Sequence, residues 1–88
     1  MNFPLPICEN WSSVLKKIRK EKDLAKLMQI YGAFMCQEEA KNHTRVANEL
    51  ISVLVDMSSM SHAQRVFDIL VSRDENSWNT LIIGYVRS

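Results

Sequence analysis

Val46-Ala47-Asn48-Glu49-Leu50-Ile51 is echoed 31 residues later by Ser77-Trp78-Asn79-Thr80-Leu81-Ile82. Asn, Leu and Ile recur at the same three places, and Val55 and Val86 extend the match. An offset of 36 brings Ser12-Ser13-Val14-Leu15 under the same positions more loosely. A self-match at one nearly fixed spacing is the signature of a repeat architecture rather than of a single irregular bundle. Four matched positions also arise by chance, so the periodicity around them has to agree.

It does agree. Trp11, Val14, Leu15 and Ile18 fall at i, i+3, i+4 and i+7, which is one face of a helix, with Asn10 as its expected N-cap. Leu24, Leu27, Met28, Tyr31 and Met35 form a second stripe behind Asp23, and Val46, Leu50, Val53, Leu54 and Met57 a third behind Thr44. Ala63, Val66, Phe67 and Leu70 form a fourth after Ser61, and Trp78, Leu81, Ile82 and Tyr85 a fifth after Asn76 or Ser77. Both prolines lie before residue 7, and no stretch alternates with the period of a strand. The links Lys20–Asp23, 37–43, 58–61 and 71–76 are short and polar, which makes neighbouring helices antiparallel. The expected fold is all-α: five helices, with the first, third and fifth equivalent and the second and fourth their partners, as in an α-solenoid.

Bulk properties exclude several function classes. Apolar residues make up 47% and charged residues 24% of the 88, values of a folded chain rather than a disordered one. Cys8 and Cys36 stand 28 residues apart with no C-x-x-C, and His43 and His62 have no ligand spacing. Neither a disulfide framework nor a zinc site is expected, and no cofactor. No apolar run approaches the roughly 18–20 residues of a membrane span. The first ten residues hold two prolines, Glu9 and no cation, unlike a secretory signal, and no clear transit peptide stands out. The net charge is only +1, yet five of the seven residues from Lys16 to Lys22 are basic, a cluster able to attract phosphate or simply to solvate a helix face.

Ala63-Gln-Arg-Val-Phe-Asp68 and Arg73-Asp-Glu-Asn-Ser-Trp-Asn-Thr-Leu-Ile-Ile-Gly-Tyr85 closely resemble the plant pentatricopeptide repeat family in its PLS subclass. There an A-x-x-V-F-D second helix is followed by R-D-x-x-S-W-N-x-x-I-x-G-Y opening the next repeat. Leu27-Met-Gln-Ile-Tyr-Gly32 is similar to the helix G-K-Q-I-H-A of the long repeat type. The family register implies a tail over residues 1–8, a long repeat over 9–43, a short repeat over 44–74, and the first helix of a third repeat over 75–88. It also implies the right-handed superhelical course of such arrays.

The resemblance implies recognition of single-stranded RNA, one base per repeat, with the first helix of each pair lining a concave groove. Two side chains read each base: one early in the first helix, the other the last residue of the repeat. In the short repeat these are Asn48 and Asp74, a pair that family rules associate with uridine, and an Asn amide both donates to and accepts from a pyrimidine edge. Asn79 is the first half of the next pair. In the long repeat the pair is Ser12 or Ser13 with His43. Lys16, Lys17, Arg19, Lys20 and Arg45 are the expected contacts to the RNA backbone. Arg45 or Asn76 takes the place beside the base where the family usually has an aliphatic residue, His43 stands for a usual Asp, and Tyr31 for a common His. Asn48 and Asn79 near helix starts also satisfy backbone amides, and Asp74 before a helix also reads as a cap. Trp78, Tyr85, Tyr31 and Phe67 sit on apolar stripes and are expected in the core.

The implied setting is transcript processing or C-to-U editing in an organelle, mitochondrion or alternatively chloroplast. No H-x-E with a following P-C-x-x-C is present, so recognition and not catalysis is expected. Two other readings compete. The face of Trp78, Leu81, Ile82 and Tyr85 suits self-association or docking to another helical-repeat protein, because the fifth helix has no following partner. The chain also reads as a truncated product without an independent role.

Overall fold

The computed structural model describes residues 10–38, 42–70 and 73–87. They form five helices: α1 (Asn10–Glu21), α2 (Leu24–Met35), α3 (Thr44–Asp56), α4 (Met60–Ile69) and α5 (Glu75–Arg87). No strand occurs among the described residues. The expected tail over 1–8 lies outside them, as does Cys8, while Cys36 is a free, exposed thiol.

The turns between paired helices share one construction. Lys22 (φ 54) and Ser58 (φ 61) adopt the left-handed conformation, and each is followed by an amide that bonds back five residues. Asp23 N donates to Ile18 O at 3.3 Å, and Ser59 N donates to Leu54 O at 2.8 Å. This 6→1 bond is the Schellman ending, which closes the orphan carbonyls of a helix and reverses the chain. Lys22 and Ser58 stand 36 residues apart, the looser of the two offsets in the sequence. The α1–α2 and α3–α4 pairs are therefore the same hairpin made twice.

Helix starts differ from the expected ones in detail. Asp23 caps α2 as expected, its carboxylate accepting from Lys26 N at 3.2 Å. Asn10 is already helical, α4 starts at Met60 behind Ser59 rather than after Ser61, and α5 starts at Glu75. An apolar stripe reports which face is buried, not where the backbone bonds begin, so caps drift by a residue or two.

α3 is the centre of the molecule. It packs against α1 on one side, α5 on the other and α4 behind. Val46, Ala47, Leu50, Ile51, Val53 and Leu54 are all buried, a wider band than a single stripe because three neighbours cover it. α1 contributes Trp11, Leu15 and Ile18, and α2 contributes Leu27, Ile30 and Phe34, with the Trp11 and Phe34 rings 6.2 Å apart. Odd-numbered helices thus lie side by side with even-numbered helices as their partners, the α-solenoid arrangement of antiparallel helix pairs.

Two aromatic expectations are corrected. Phe67 is buried and Tyr31 partly so, but Trp78 is 49% and Tyr85 51% exposed. The buried stripe of α5 is Ser77, Leu81 and Gly84 instead. α5 approaches α3 through small residues: a Cβ built on Gly84 would lie 2.8 Å from Met60 Sδ and 2.9 Å from both Val55 methyls. Trp78 is left flanking, edge-on to Phe67 at 4.8 Å, and the Tyr85 hydroxyl donates to Gln64 Oε1. His62 meets the Tyr31 ring edge-on at 4.8 Å.

Candidate nucleic-acid interface

The α3–α5 junction carries a compact polar cluster at the N-terminal end of both helices. Asn48 sits one turn into α3, partly exposed, and Asp74 stands immediately before α5. Asn48 Nδ2 donates to Asp74 Oδ1 at 3.2 Å, across 26 residues of sequence. The two residues expected as a reading pair are therefore in direct contact. Asp74 also caps α5: its Oδ1 accepts from Ser77 N at 3.0 Å. The cap and the contact with Asn48 coexist, because one carboxylate oxygen serves both.

That geometry fixes the electrostatics of Asp74. Its carboxyl is held below the ordinary aspartate value, first by the Ser77 amide. Partial desolvation opposes this, and the Asn48 amide and Ser77 hydroxyl add to it. Asp74 is thus an anion through the whole neutral range and always presents an acceptor to Asn48.

Ser77 completes the cluster and is the member that the sequence did not single out as a site residue. It is fully buried, and its hydroxyl contacts both Asn48 Oδ1 and, at 3.1 Å, Asp74 Oδ1. A serine two residues before Asn79 reads as an ordinary helix-start residue, which hid it. The one available signal was that Val46 occupies the same place in the preceding unit, so this position lies on the inner face.

The α1–α3 junction is built differently. Ser12, Lys16, Arg45, Val46 and Glu49 line a crevice of about 360 Å³. It gathers one expected base reader and two expected backbone contacts, and Glu49 lies beside their charge. Arg19 is committed elsewhere: its Nε pairs with Asp56 Oδ2 at 2.7 Å and its Nη2 donates to Ser52 Oγ, tying α1 to α3. Arg87 of α5 approaches the same carboxylate at 3.8 Å. Lys16, Lys17 and Lys20 are exposed along α1, Arg45 is exposed on α3 and Asn79 on α5. His43 is the N-cap residue of α3 and makes no side-chain capping bond.

Among the described residues no group of three or more His, Cys, Asp or Glu could hold a metal ion, and no helix is long and apolar enough to cross a membrane.

Comparison with known proteins points one way. A pentatricopeptide repeat-containing protein of Arabidopsis thaliana is 34% identical over 77 residues, covering 88% of this chain. A mitochondrial one is 34% identical over 76 residues, covering 86%. Another mitochondrial one reaches 42% over 43 residues, 49% of this chain. The chain spans only 9%, 12% and 6% of these relatives' own lengths. No family model matches, and no solved structure matches. Five helices in repeated hairpins, together with relatives of one name along most of the chain, support the pentatricopeptide repeat family as this chain's own.

Proposed function

We propose that this chain is an RNA-binding segment of a plant organellar pentatricopeptide repeat protein, contributing base recognition without catalysis. The observation that supports the reading most is the bond between Asn48 and Asp74. A carboxylate 26 residues on, at the end of the same proposed repeat, holds that amide in place. One N–H of Asn48 remains for a base, and the family rule for this pair is uridine. The proposed repeats are 9–43 and 44–74, with a third opening at 75, in the PLS arrangement. Lys16, Lys17, Lys20 and Arg45 are the proposed phosphate contacts. Ser12 or Ser13 with His43, and Asn79 as the first half of a further pair, are the neighbouring readers. The relatives labelled mitochondrial favour that organelle over the chloroplast, and transcript processing or C-to-U editing is the proposed setting.

Magnitude bounds what this segment does alone. Two repeats engage about two bases, and at roughly 1–3 kcal/mol per base this gives weak, salt-dependent binding. Fluorescence titration with a U-rich single strand at low salt tests the proposal. Binding in the micromolar range that weakens with salt is expected, and no binding at high micromolar protein defeats it.

A second reading rests on α5. Ile82, Ile83 and Val86 are 53%, 52% and 79% exposed beside half-exposed Trp78 and Tyr85, a continuous apolar strip on a helix surface. It suits self-association or docking of another helical repeat. Sedimentation at high concentration tests this, and a clean monomer would count against self-association.

A further inference from the structure

We infer that Ser77 is a positioning residue for base recognition: its buried hydroxyl locks the amide of Asn48 in the orientation that faces a base. This rests on the proposed role of Asn48 and Asp74 as the reading pair.

The hydroxyl has one proton and two acceptors within reach, Asn48 Oδ1 and Asp74 Oδ1. Asp74 Oδ1 already accepts the Ser77 amide at 3.0 Å and Asn48 Nδ2 at 3.2 Å. Asn48 Oδ1 has no other bond described, whereas Asp74 Oδ1 already accepts two. The proton therefore belongs on Asn48. Ser77 is fully buried, so water cannot replace either partner.

The consequence is a two-point clamp. Asp74 alone opposes a flipped amide, because flipping would set Oδ1 against a carboxylate oxygen. It does not stop the amide swinging about its single bond to Asp74. The Ser77 hydroxyl removes that freedom by holding the other end. Both atoms of the amide are then engaged by groups that touch one another at 3.1 Å. What Asn48 offers outward is the remaining N–H, in one direction. A side chain already ordered before the base arrives loses less entropy on binding and discriminates better.

The clamp crosses the repeat boundary. Ser77 lies in α5, so the reader on α3 is oriented by the third residue of the next odd-numbered helix. The same chain contains the contrary case. Val46 holds the corresponding place between α1 and α3, and a valine has no proton to donate. The Ser12 reader is therefore unclamped from this position.

The test uses the full chain and short U-, C- and A-rich single strands at low salt, with Ser77→Ala, Ser77→Thr and Asn48→Ala compared by fluorescence titration and thermal melting. Ser77→Ala should reduce the preference for U over the other strands by roughly threefold to tenfold, the scale of one net hydrogen bond. Ser77→Thr keeps the hydroxyl, so it should hold the preference of the parent even though its added methyl lowers the melting temperature at this tight junction. In the RNA-free chain, the Asn48 side-chain amide protons should exchange with solvent faster in Ser77→Ala than in the parent. An unchanged preference or an unchanged exchange rate in Ser77→Ala overturns the role of Ser77 while Asn48→Ala still lowers the preference. If the parent does not bind, or binds with the same preference after Asn48→Ala, the reading pair itself fails and the clamp with it.

Discussion

The two junctions along the wall of odd-numbered helices join the same architecture by different means. On the α1 side of the molecule the packing is apolar bulk: Trp11, Leu15 and Ile18 are buried in the core, an Arg19–Asp56 ion pair ties α1 to α3, and an open crevice remains near Ser12. Between α3 and α5 the contact is close approach: Ser77, Leu81 and Gly84 face inward and three polar side chains interlock. Large side chains tolerate imperfect alignment and leave gaps. Small ones demand one separation of the helices and fix it. The second junction should therefore be the less forgiving of added volume and, on the proposed function, the more exact reader, whereas the first should be sensitive to lost volume.

Four perturbations would break or sharpen that contrast. The largest effect is expected on the α1 side, where Trp11 packs on Phe34 of α2. Trp11→Ala empties a site that is 1% exposed and removes its contact with Phe34. A loss of about 3–5 kcal/mol is expected, enough to leave so small a domain mostly unfolded by chemical denaturation monitored by circular dichroism. A loss below about 1 kcal/mol would mean that the junction is not held by bulk. At the second junction, Gly84→Ala should cost about 1–3 kcal/mol from overpacking against Val55 and Met60, partly offset by the better helix propensity of alanine. Stabilisation by Gly84→Ala would show that α5 can retreat and that the separation is not fixed.

Asp74 comes next. Its carboxyl is depressed in the folded chain, so the stability it contributes is fully present above the ordinary aspartate value. That contribution disappears as the pH falls through the lowered folded value. Nuclear magnetic resonance of the Ser77 amide and Asn48 side-chain amide should follow one acidic transition, absent in Asp74→Ala. Separate transitions for the two probes would show that cap and clamp are not one unit. The smallest effect concerns the hairpin turns. Ser58 bears a side chain in the left-handed region, where such a residue costs about 1 kcal/mol. Ser58→Gly should raise stability by about 0.5–1 kcal/mol, reduced by the extra freedom of glycine in the unfolded chain. The same change at Lys22, in the equivalent turn, should match it within error.

Much of this was legible in the residues. Trp11, Leu15 and Ile18, or Leu50, Val53 and Leu54, announce helices because large apolar side chains at helical spacing have no other economical arrangement. The 31-residue echo sets Asn48 and Asn79 in one register, whereas Asp74 is named as the partner of Asn48 only by the family resemblance. What stayed hidden depends on distances that hydropathy does not encode. Trp78 and Tyr85 carry the apolar signal on α5, yet Ser77 and Gly84 face inward, because a tight helix crossing selects for small size. Arg19 looked like part of a basic run. Its partner Asp56 lies 37 residues away and is brought beside it only by the stacking of α1 on α3. The start of α4 at Met60 was missed because an apolar first residue outside the main stripe carries no periodic information.

α3 touches α1, α4 and α5, whereas α2 and α5 each have a side left to solvent. Opening of the chain should therefore begin at its two flanks and reach the middle last, so that amide protons of Leu50 through Leu54 outlast all others in exchange. The proposed reader Asn48 sits on that slowest-opening element, and its proposed clamp Ser77 on a flank that opens early. Such a chain would lose fidelity well before it loses shape: warming or mild denaturant would first release the outer helix, and with it the hold on Asn48, while the central hairpin stays intact.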